Sequence, residues 1–339
     1  MSRTPKVTIA GAGALGLTCA LALADAGCAV TVSDPAEAYA NASGVAAGMI
    51  APAFEAVLDA AARSHFDILM AARDLWPGLA ARAGIGLRRD GAMAVGEAEW
   101  LESVAAEFEA LGLRPSEISG ATARTLAPAL SEAWPTALLT REDWRIDAVQ
   151  ALAALREAAL GAGVTFRQAA VSGRGDEDLL VVATGAGDAP LAPELAVLSP
   201  IKGHILRALA PWAAGVTVRG RGVYVAPGDG VVAVGATMEA GVADAAVDPL
   251  KAEPLRAAGA RLFQRIAEAP FEIFAGVRAA TPDGLPLVGF GSEPGVVLAA
   301  GARRNGWLLA PLVAQVVVAC ATGSDSGPYA HSFDPTRFT

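Results

Sequence analysis

Histidine is scarce in this chain, with three residues in 339. His65, His204 and His331 lie far apart, and the sequence has no HxxxH pattern and no Cys/His cluster. Zinc sites and Cys–His nucleophiles need such groups at close spacing. We therefore expect no metal site and no Cys–His nucleophile.

Cysteine is equally scarce. Cys19, Cys28 and Cys320 are scattered, show no CxxC spacing and lie in apolar surroundings, where free cysteine behaves as a small hydrophobe. This usage predicts reduced, buried thiols in a cytoplasmic protein.

Basic residues are outnumbered, with 26 Lys+Arg against 35 Asp+Glu and a net charge of -9, which argues against a general nucleic-acid binder. The apolar run Leu308–Ala321 is broken by Pro311 and Gln315 and is too short to span a bilayer. The start, Met1–Ala24, superficially resembles a signal peptide, but glycines at fixed spacing favour a strand, a turn and a helix. We expect a soluble protein without a membrane span.

The composition present is that of a globular protein, 53% hydrophobic and 18% charged. The length suits one large domain or two. Because the sequence has neither a repeat nor a low-complexity linker, we expect two regions to be interleaved.

A strand–turn–helix–strand unit opens the chain. Val7–Ala10 predicts a strand, Leu15–Ala26 a helix, and Ala29–Ser33 a second strand that ends at Asp34. In the intervening "GAGALG", Gly11 permits a tight turn, Gly13 permits close approach of a pyrophosphate, and Gly16 permits close packing of helix and strand.

This unit predicts a dinucleotide site. The phosphates would meet the amide groups at the helix N-terminus, and Asp34 could accept hydrogen bonds from a ribose. The turn alone does not distinguish NAD from FAD. The run of small residues at 41–52, "NASGVAAGMIAP", would let the backbone lie against a broad flat ring system.

Further patterns follow along the chain. Helical patterns run from Phe54 to Leu111 with a break at Trp76–Pro77, and the other predicted elements are a helix at Asp147–Leu160, a buried strand at Leu179–Ala183, antiparallel strands within 199–238 with a hairpin at 227–230, a helix at Leu250–Ala267, and a strand, turn and helix within 295–321.

Taken together, "GAGALG", "ASGVAAGMIAP", "VVATGAGD", "GVYVAP", "VAVGATM", "GVRAATPDGLPLVG" and "AAGARRNGWLLAP" resemble the FAD-dependent D-amino acid oxidase family, most closely its glycine oxidase branch of the thiamine-biosynthesis type. The resemblance implies an α/β fold in which a glutathione-reductase-like FAD-binding Rossmann domain is interleaved with an α+β substrate domain built on a mixed, largely antiparallel sheet. The implied FAD domain comprises 1–85, 145–198 and 275–339, and the substrate domain 86–144 and 199–274.

The resemblance also implies which residues bind FAD. These are Gly11, Gly13, Ala14, Leu15, Gly16, Asp34, Pro35, Ser43, Gly44, Ala46, Ala47, Gly48, Met49, Val171, Thr184, Gly185, Gly301, Arg304, Asn305, Gly306, Trp307 and Leu308. No cysteine falls near Arg278, where related enzymes attach flavin covalently, so noncovalent FAD is expected.

For the substrate, the resemblance implies that Arg278, Arg304 and Tyr224 hold a carboxylate and that Met238 lines the pocket. A guanidinium suits this role because it can form two parallel charge-assisted hydrogen bonds. In the empty enzyme the charge of Arg304 would be unpaired. Arg303 stands where the family commonly has an aromatic residue, and it could contact solvent, a carboxylate elsewhere, or a second acidic group of the substrate.

The activity implied is oxidative deamination of glycine or another small amine or D-amino acid. Hydride would pass from Cα to flavin N5, the imine would hydrolyse to a 2-oxo acid and ammonia, and O2 would take the electrons to give H2O2. The motifs contain no His, Glu or Asp as a candidate acid or base. Oligomerisation is left open.

Three alternatives stay open on the sequence alone. A D-amino acid dehydrogenase of the same fold would pass electrons to a quinone or another acceptor. An NAD-dependent dehydrogenase would share the first unit but leave the C-terminal motifs without a role. A non-catalytic FAD-binding protein would hold a flavin that no substrate reduces.

Overall fold

The computed structural model describes residues 4–187 and 191–338. Its strands are β1 (Lys6–Ala10), β2 (Ala29–Ser33), β3 (Met49–Ile50), β4 (Ala92–Ala94), β5 (Ser116–Ser119), β6 (Thr136–Thr140), β7 (Trp144–Arg145), β8 (Thr165–Arg167), β9 (Leu179–Val182), β10 (Ser199–Leu209), β11 (Thr217–Gly220), β12 (Val223–Pro227), β13 (Val231–Gly235), β14 (Glu239–Ala240), β15 (Phe271–Ala280), β16 (Leu287–Phe290) and β17 (Val296–Ala300). Its α-helices are α1 (Ala14–Asp25), α2 (Ala42–Val45), α3 (Pro52–Leu58), α4 (Ala60–Arg63), α5 (Phe66–Ala83), α6 (Ala98–Ala110), α7 (Gly120–Leu126), α8 (Ala148–Gly161), α9 (Ala252–Leu262) and α10 (Gly306–Thr322).

A six-stranded sheet has the order β16-β17-β9-β1-β2-β8 and is parallel except where β16 joins β17. Every residue of β17 is buried, as expected for a strand covered on both faces. Helix α1 packs against α8 and α10, and these helices share one large core with the sheet. The first strand–turn–helix–strand unit predicted from the sequence is confirmed.

A nine-stranded sheet has the order β14-β10-β13-β12-β11-β4-β6-β5, with β15 also paired to β10. All its pairings are antiparallel except that of β4 with β11, so the predicted mixed, largely antiparallel sheet is confirmed. The predicted hairpin at 227–230 forms, with Gly228 N donating to Val231 O at 2.7 Å. A second core lies between this sheet and α9.

The predicted break at Trp76–Pro77 is wrong, because α5 continues through Pro77. Trp76 is fully buried, and its indole Nε1 lies 3.2 Å from the carbonyl oxygens of both Trp307 and Leu308. Packing against α10 therefore outweighs the backbone hydrogen bond that a proline removes. The helix predicted at Leu250–Ala267 is also shorter than expected, since α9 ends at Leu262.

All strands of the six-stranded sheet fall in the ranges predicted for the FAD domain. Strand β15 crosses the predicted boundary at residue 275, so the division into two domains stays a prediction. No helix in the described parts of the chain has both the length and the hydropathy needed to cross a membrane.

Candidate active site

The glycine turn between β1 and α1 is tightly packed against backbone. Gly11 has a φ of 109°, and a Cβ added there would lie 2.4 Å from the carbonyl oxygen of Ala183. A Cβ at Gly16 would lie 2.1 Å from the carbonyl oxygen of Gly11. These positions exclude any larger side chain, and they bring β1, α1 and the end of β9 together.

The N-terminus of α1 is open to an anion. Gly13 is the N-cap, no side chain caps the helix through that residue, and the first turn has no acidic residue. Ser43 Oγ accepts a hydrogen bond from Ala14 N at 3.0 Å, which brings the small-residue segment to the same place. Unpaired amides and the helix dipole favour a phosphate at such a terminus.

Asp34 follows β2 and holds the neighbouring turns. Its Oδ2 accepts from Ala12 N at 2.7 Å, and its Oδ1 accepts from Ala36 N at 2.9 Å. The carboxylate thus lies beside the glycine turn, as the sequence predicts. The ribose contact assigned to it remains a prediction.

The small-residue segment packs closely against the start of α10. Trp307 Nε1 donates to Ser43 O at 3.1 Å, and Gly48, with a φ of 71°, would place a Cβ 2.3 Å from Ile146 O. Thr184 Oγ1 is buried without a hydrogen-bond partner within the described residues. A cradle closed to larger side chains, a helix terminus without an acidic residue in its first turn and this buried hydroxyl fit a bound dinucleotide.

The remaining residues predicted to bind FAD occupy the same region or its border. Val171 packs beside the core that contains Leu180 and Val296. Asn305 is buried and is the N-cap of α10, while Asp188, the last residue of "VVATGAGD", lies outside the described residues. No ligand contact of these residues is tested by the geometry, so their assignments stay predictions.

One face of the nine-stranded sheet carries the substrate-binding candidates. Arg219, Tyr224, Gly235 and Ile205 are directly paired across β11, β12, β13 and β10. Directly opposite residues share a sheet face. Gly235 leaves room for the phenol, because a Cβ there would lie 2.4 Å from Tyr224 Oη.

Arg278 lies on β15 over a space left by glycine. Gly203 of β10 and Gly276 of β15 are register partners, and a Cβ at Gly203 would lie 2.3 Å from Nη1 and 2.6 Å from Nη2 of Arg278. Nη1 is buried and has no hydrogen-bond partner within the described residues. The guanidinium therefore borders a cavity between the sheet and α2, whose lining residues are Ala42, Val45, Ala46, Gly203, Ile205, Tyr224, Gly276 and Arg278.

Burial is the largest cause of the pKa shifts of Tyr224 and Arg278. It raises the pKa of the Tyr224 phenol, although the positive charges of Arg278, Arg219 and Arg304 oppose the shift. Burial also lowers the pKa of Arg278, with Tyr224 opposing and Arg304 reinforcing the change. Tyr224 is thus a neutral hydrogen-bond donor beside a half-buried cation that has no carboxylate partner among the residues the structure describes.

The expectation that Arg304 carries an unpaired charge is wrong. Its Nη2 donates to Glu55 Oε1 at 3.1 Å, and its Nη1 lies 3.4 Å from Asp59 Oδ2. Glu55 is the largest cause of the raised pKa of Arg304. The arginine is held by two carboxylates because a partly buried guanidinium needs anionic partners.

Arg303 also binds Asp59 through Nη1, so of the contacts left open it takes a carboxylate elsewhere in the chain. Its φ of 49° lies in the left-handed region, which is unusual for a residue other than glycine. Arg303 N donates to Ala279 O at 2.8 Å, which ties this turn to β15 next to Arg278.

Sequence reasoning missed Glu55, Asp59 and Arg219. Both Nη atoms of Arg219 lie 3.5 Å from Glu55 Oε1, and the two side chains are buried although they stand 164 residues apart. The only local signal was an acid just after the small-residue segment, on a short helix that begins with Pro52. The alternating strand pattern around Arg219 did not indicate that Glu55 is its ion-pair partner.

Asp143 fixes the helix that carries Glu55. Its carboxylate accepts from Ala53 N at 2.8 Å and from Phe54 N at 3.2 Å at the start of α3. Burial raises its pKa from 3.8 to about 7, although Arg219 and the two amide groups oppose this shift.

Met238 lies beside Arg304, with Sδ 3.9 Å from Nη1. It is partly exposed, so it borders the site from the solvent side. Asp283 accepts from Arg337 Nε at 2.9 Å and from Leu285 N at 3.1 Å, as is usual for an aspartate in a turn.

The chain was compared with known proteins. The family model described as FAD dependent oxidoreductase (DAO) matches residues 6–320. A bifunctional ThiO/ThiG protein of Nostoc sp. is 29% identical over 369 residues, covering 98% of this chain and 55% of the relative. The chain thus spans about half the length of that relative.

Solved structures agree with this family. The glycine oxidase of Geobacillus kaustophilus superposes with a TM-score of 0.85 at 26% identity, covering 99% of this chain and 100% of that one. The iminodiacetate oxidase of Chelativorans sp. BNC1 gives a TM-score of 0.83 at 21% identity, covering 97% and 98%, which supports the fold alone. The predicted fold class and FAD dependence are therefore confirmed, and the chain belongs to the FAD dependent oxidoreductase family.

Proposed function

We propose that this FAD-dependent enzyme oxidises glycine or another small amine or D-amino acid to an imine, which hydrolyses to a 2-oxo acid and ammonia. Electrons would pass to O2, giving H2O2. The observation that carries the proposal is Arg278, a half-buried arginine whose buried Nη1 has no hydrogen-bond partner, and whose guanidinium has no carboxylate partner, within the described residues.

Arg278 suits the carboxylate of an amino acid. A bidentate pair would satisfy the buried Nη1 and fix the orientation of the ligand as well as its position. Tyr224, kept neutral by burial, can donate a further hydrogen bond. Removing the ligand from water strengthens each of these interactions.

The residues that would hold FAD are those of the glycine turn, the N-terminus of α1, and the segments around Ser43, Thr184 and Trp307. When bound, FAD supplies the two-electron redox chemistry. The protein would hold the substrate so that its Cα hydrogen faces the flavin ring. Such orientation supplies a large share of the rate enhancement. The absence of a covalent link to FAD stays a prediction.

The test is an anaerobic titration of the purified holoenzyme with glycine, sarcosine, D-alanine, D-proline and larger D-amino acids, followed by absorbance of the flavin. Reduction by a small amine, with O2 consumption and H2O2 release on admitting air, is the expected result. Reduction without O2 consumption would instead favour a dehydrogenase that uses another acceptor. A flavin that none of these compounds reduces would overturn the proposal.

A further inference from the structure

The two oxygens of the Glu55 carboxylate have different surroundings. Oε1 accepts from Arg304 Nη2 at 3.1 Å and lies 3.5 Å from both Nη atoms of Arg219. Oε2 is buried and has no partner within residues 4–187 and 191–338. A buried carboxylate oxygen without a donor is costly, so the arrangement leaves one acceptor available.

Arg278 shows the complementary feature. Within the part of the chain that the structure describes, its Nη1 is a buried donor without an acceptor, while Glu55 Oε2 is a buried acceptor without a donor. Both side chains influence the ionisation of the Tyr224 phenol, Arg278 lowering and Glu55 raising its pKa. The geometry agrees, since Glu55 contacts Arg219, the register partner of Tyr224, and Tyr224 and Arg278 line the same cavity.

We propose that Glu55 is a substrate-binding residue whose Oε2 accepts an N–H hydrogen bond from the substrate amine, while Arg278 binds the carboxylate. The inference rests on the proposed function and adds the group that selects an amine. An amino acid carries its amine and its carboxylate on the same carbon atom, Cα, so it would satisfy both unpartnered groups in one binding event. A carboxylic acid without an amine would satisfy only Arg278.

Glu55 is already oriented for this contact. Arg219 and Arg304 hold Oε1 from two elements, and Asp143 holds the first turn of α3. A fixed carboxylate loses little freedom when the ligand binds, which favours a strong hydrogen bond. Because Arg219 and Arg304 contact Oε1, Oε2 is the oxygen left for the amine.

Glu55→Gln tests the inference because a glutamine can still accept from Arg304 but loses the charge and one acceptor oxygen. We expect KM for the best amine substrate to rise by about tenfold to a hundredfold, the usual effect of losing a hydrogen bond to a charged group. The dissociation constant of acetate, followed by perturbation of the flavin spectrum, should stay unchanged or fall, since an anion near the ligand has been removed.

A matched control is Glu194→Gln. Glu194 is also buried, with Oε1 accepting from Ser292 N at 2.6 Å and Oε2 without a partner among the described residues, but it lies at the six-stranded sheet. This variant should leave both ligands unaffected. Flavin content of each variant is measured first, and if Glu55→Gln does not retain FAD, Glu55→Asp is used, with the same selective loss expected.

Equal weakening of acetate and of the amine substrate in the Glu55 variant would overturn the inference, because Glu55 would then act only by orienting Arg304. An unchanged KM for the amine would overturn it as well. Failure of the proposed function is distinguishable, since in that case no amine would reduce the flavin of the unaltered enzyme.

Discussion

Gly203→Ala should weaken substrate binding while leaving the fold intact. The added Cβ would lie 2.3 Å, 2.6 Å and 2.8 Å from Nη1, Nη2 and Cζ of Arg278. Each distance is far below van der Waals contact, so one group must move. The end of a long side chain moves more easily than two paired strands, and the guanidinium should therefore be displaced while β10 and β15 stay paired.

The magnitude follows from the bonds that Arg278 would no longer make. A hydrogen bond to a charged group contributes about 1.5–3 kcal/mol. Loss of one such bond in the transition state lowers kcat/KM by about ten- to a hundredfold. FAD content should not change, because Gly203 is remote in sequence from the glycine turn and contacts Arg278 rather than α1.

The assay is kcat/KM for the best small amine, together with flavin content and thermal unfolding. Gly78→Ala on α5 is the control, since nothing lies within 4 Å of its added Cβ, and this variant should keep full activity. In the background of Arg278→Ala the effect of Gly203→Ala should disappear, as expected for residues that act through one contact. Full activity of Gly203→Ala, or an equal loss in both backgrounds, would refute the reasoning.

Three further predictions concern the site and its support. Arg278→Ala should retain FAD but lose about 3–5 kcal/mol of transition-state binding, measured as kcat/KM, since one partner of a buried charge pair is removed; near-normal kcat/KM would contradict its role. Gly16→Ala should lower the flavin-to-protein ratio after gel filtration, because its Cβ would meet Gly11 O at 2.1 Å. Burial raises the pKa of Asp143 to about 7, so its stabilising contribution is full below the unfolded pKa of 3.8 and is lost as pH rises through 7. Asp143→Asn should remove this part of the pH dependence in denaturant unfolding, and an unchanged slope would contradict it.

Local patterns predicted the fold where a few neighbouring residues decide it. Ala29–Ser33 is the strand expected from its β-branched residues, and the helix before it ends at Asp25, one residue before the predicted end, with Gly27 at a φ of 84° just beyond. Pro77 shows the limit of such reasoning. The helix continues there because Trp76 is buried against α10, more than 230 residues away in sequence, and no local signal reports that packing.

The site was predictable only in part, for the same physical reason. Arg278, Tyr224 and Arg304 were found because they lie in motifs that resemble a family, whereas Glu55 lies in an unremarkable helix. Its importance comes from contacts with Arg219 and Arg304, which are far away in sequence. Neither composition nor periodicity carries information on such a pair.

The adjacent residues Arg303 and Arg304 differ in their ion-pair partners. Both reach Asp59, but Arg304 also reaches Glu55 and so joins the carboxylate that faces the proposed amine site. Arg303 is paired with Asp59, which also contacts Arg304, and its charge is therefore not free for a second acidic group of a substrate. A dicarboxylic substrate would have to compete with Asp59 for that guanidinium, whereas a single carboxylate meets Arg278 without a competitor. The charge arrangement thus favours a small monocarboxylic amine.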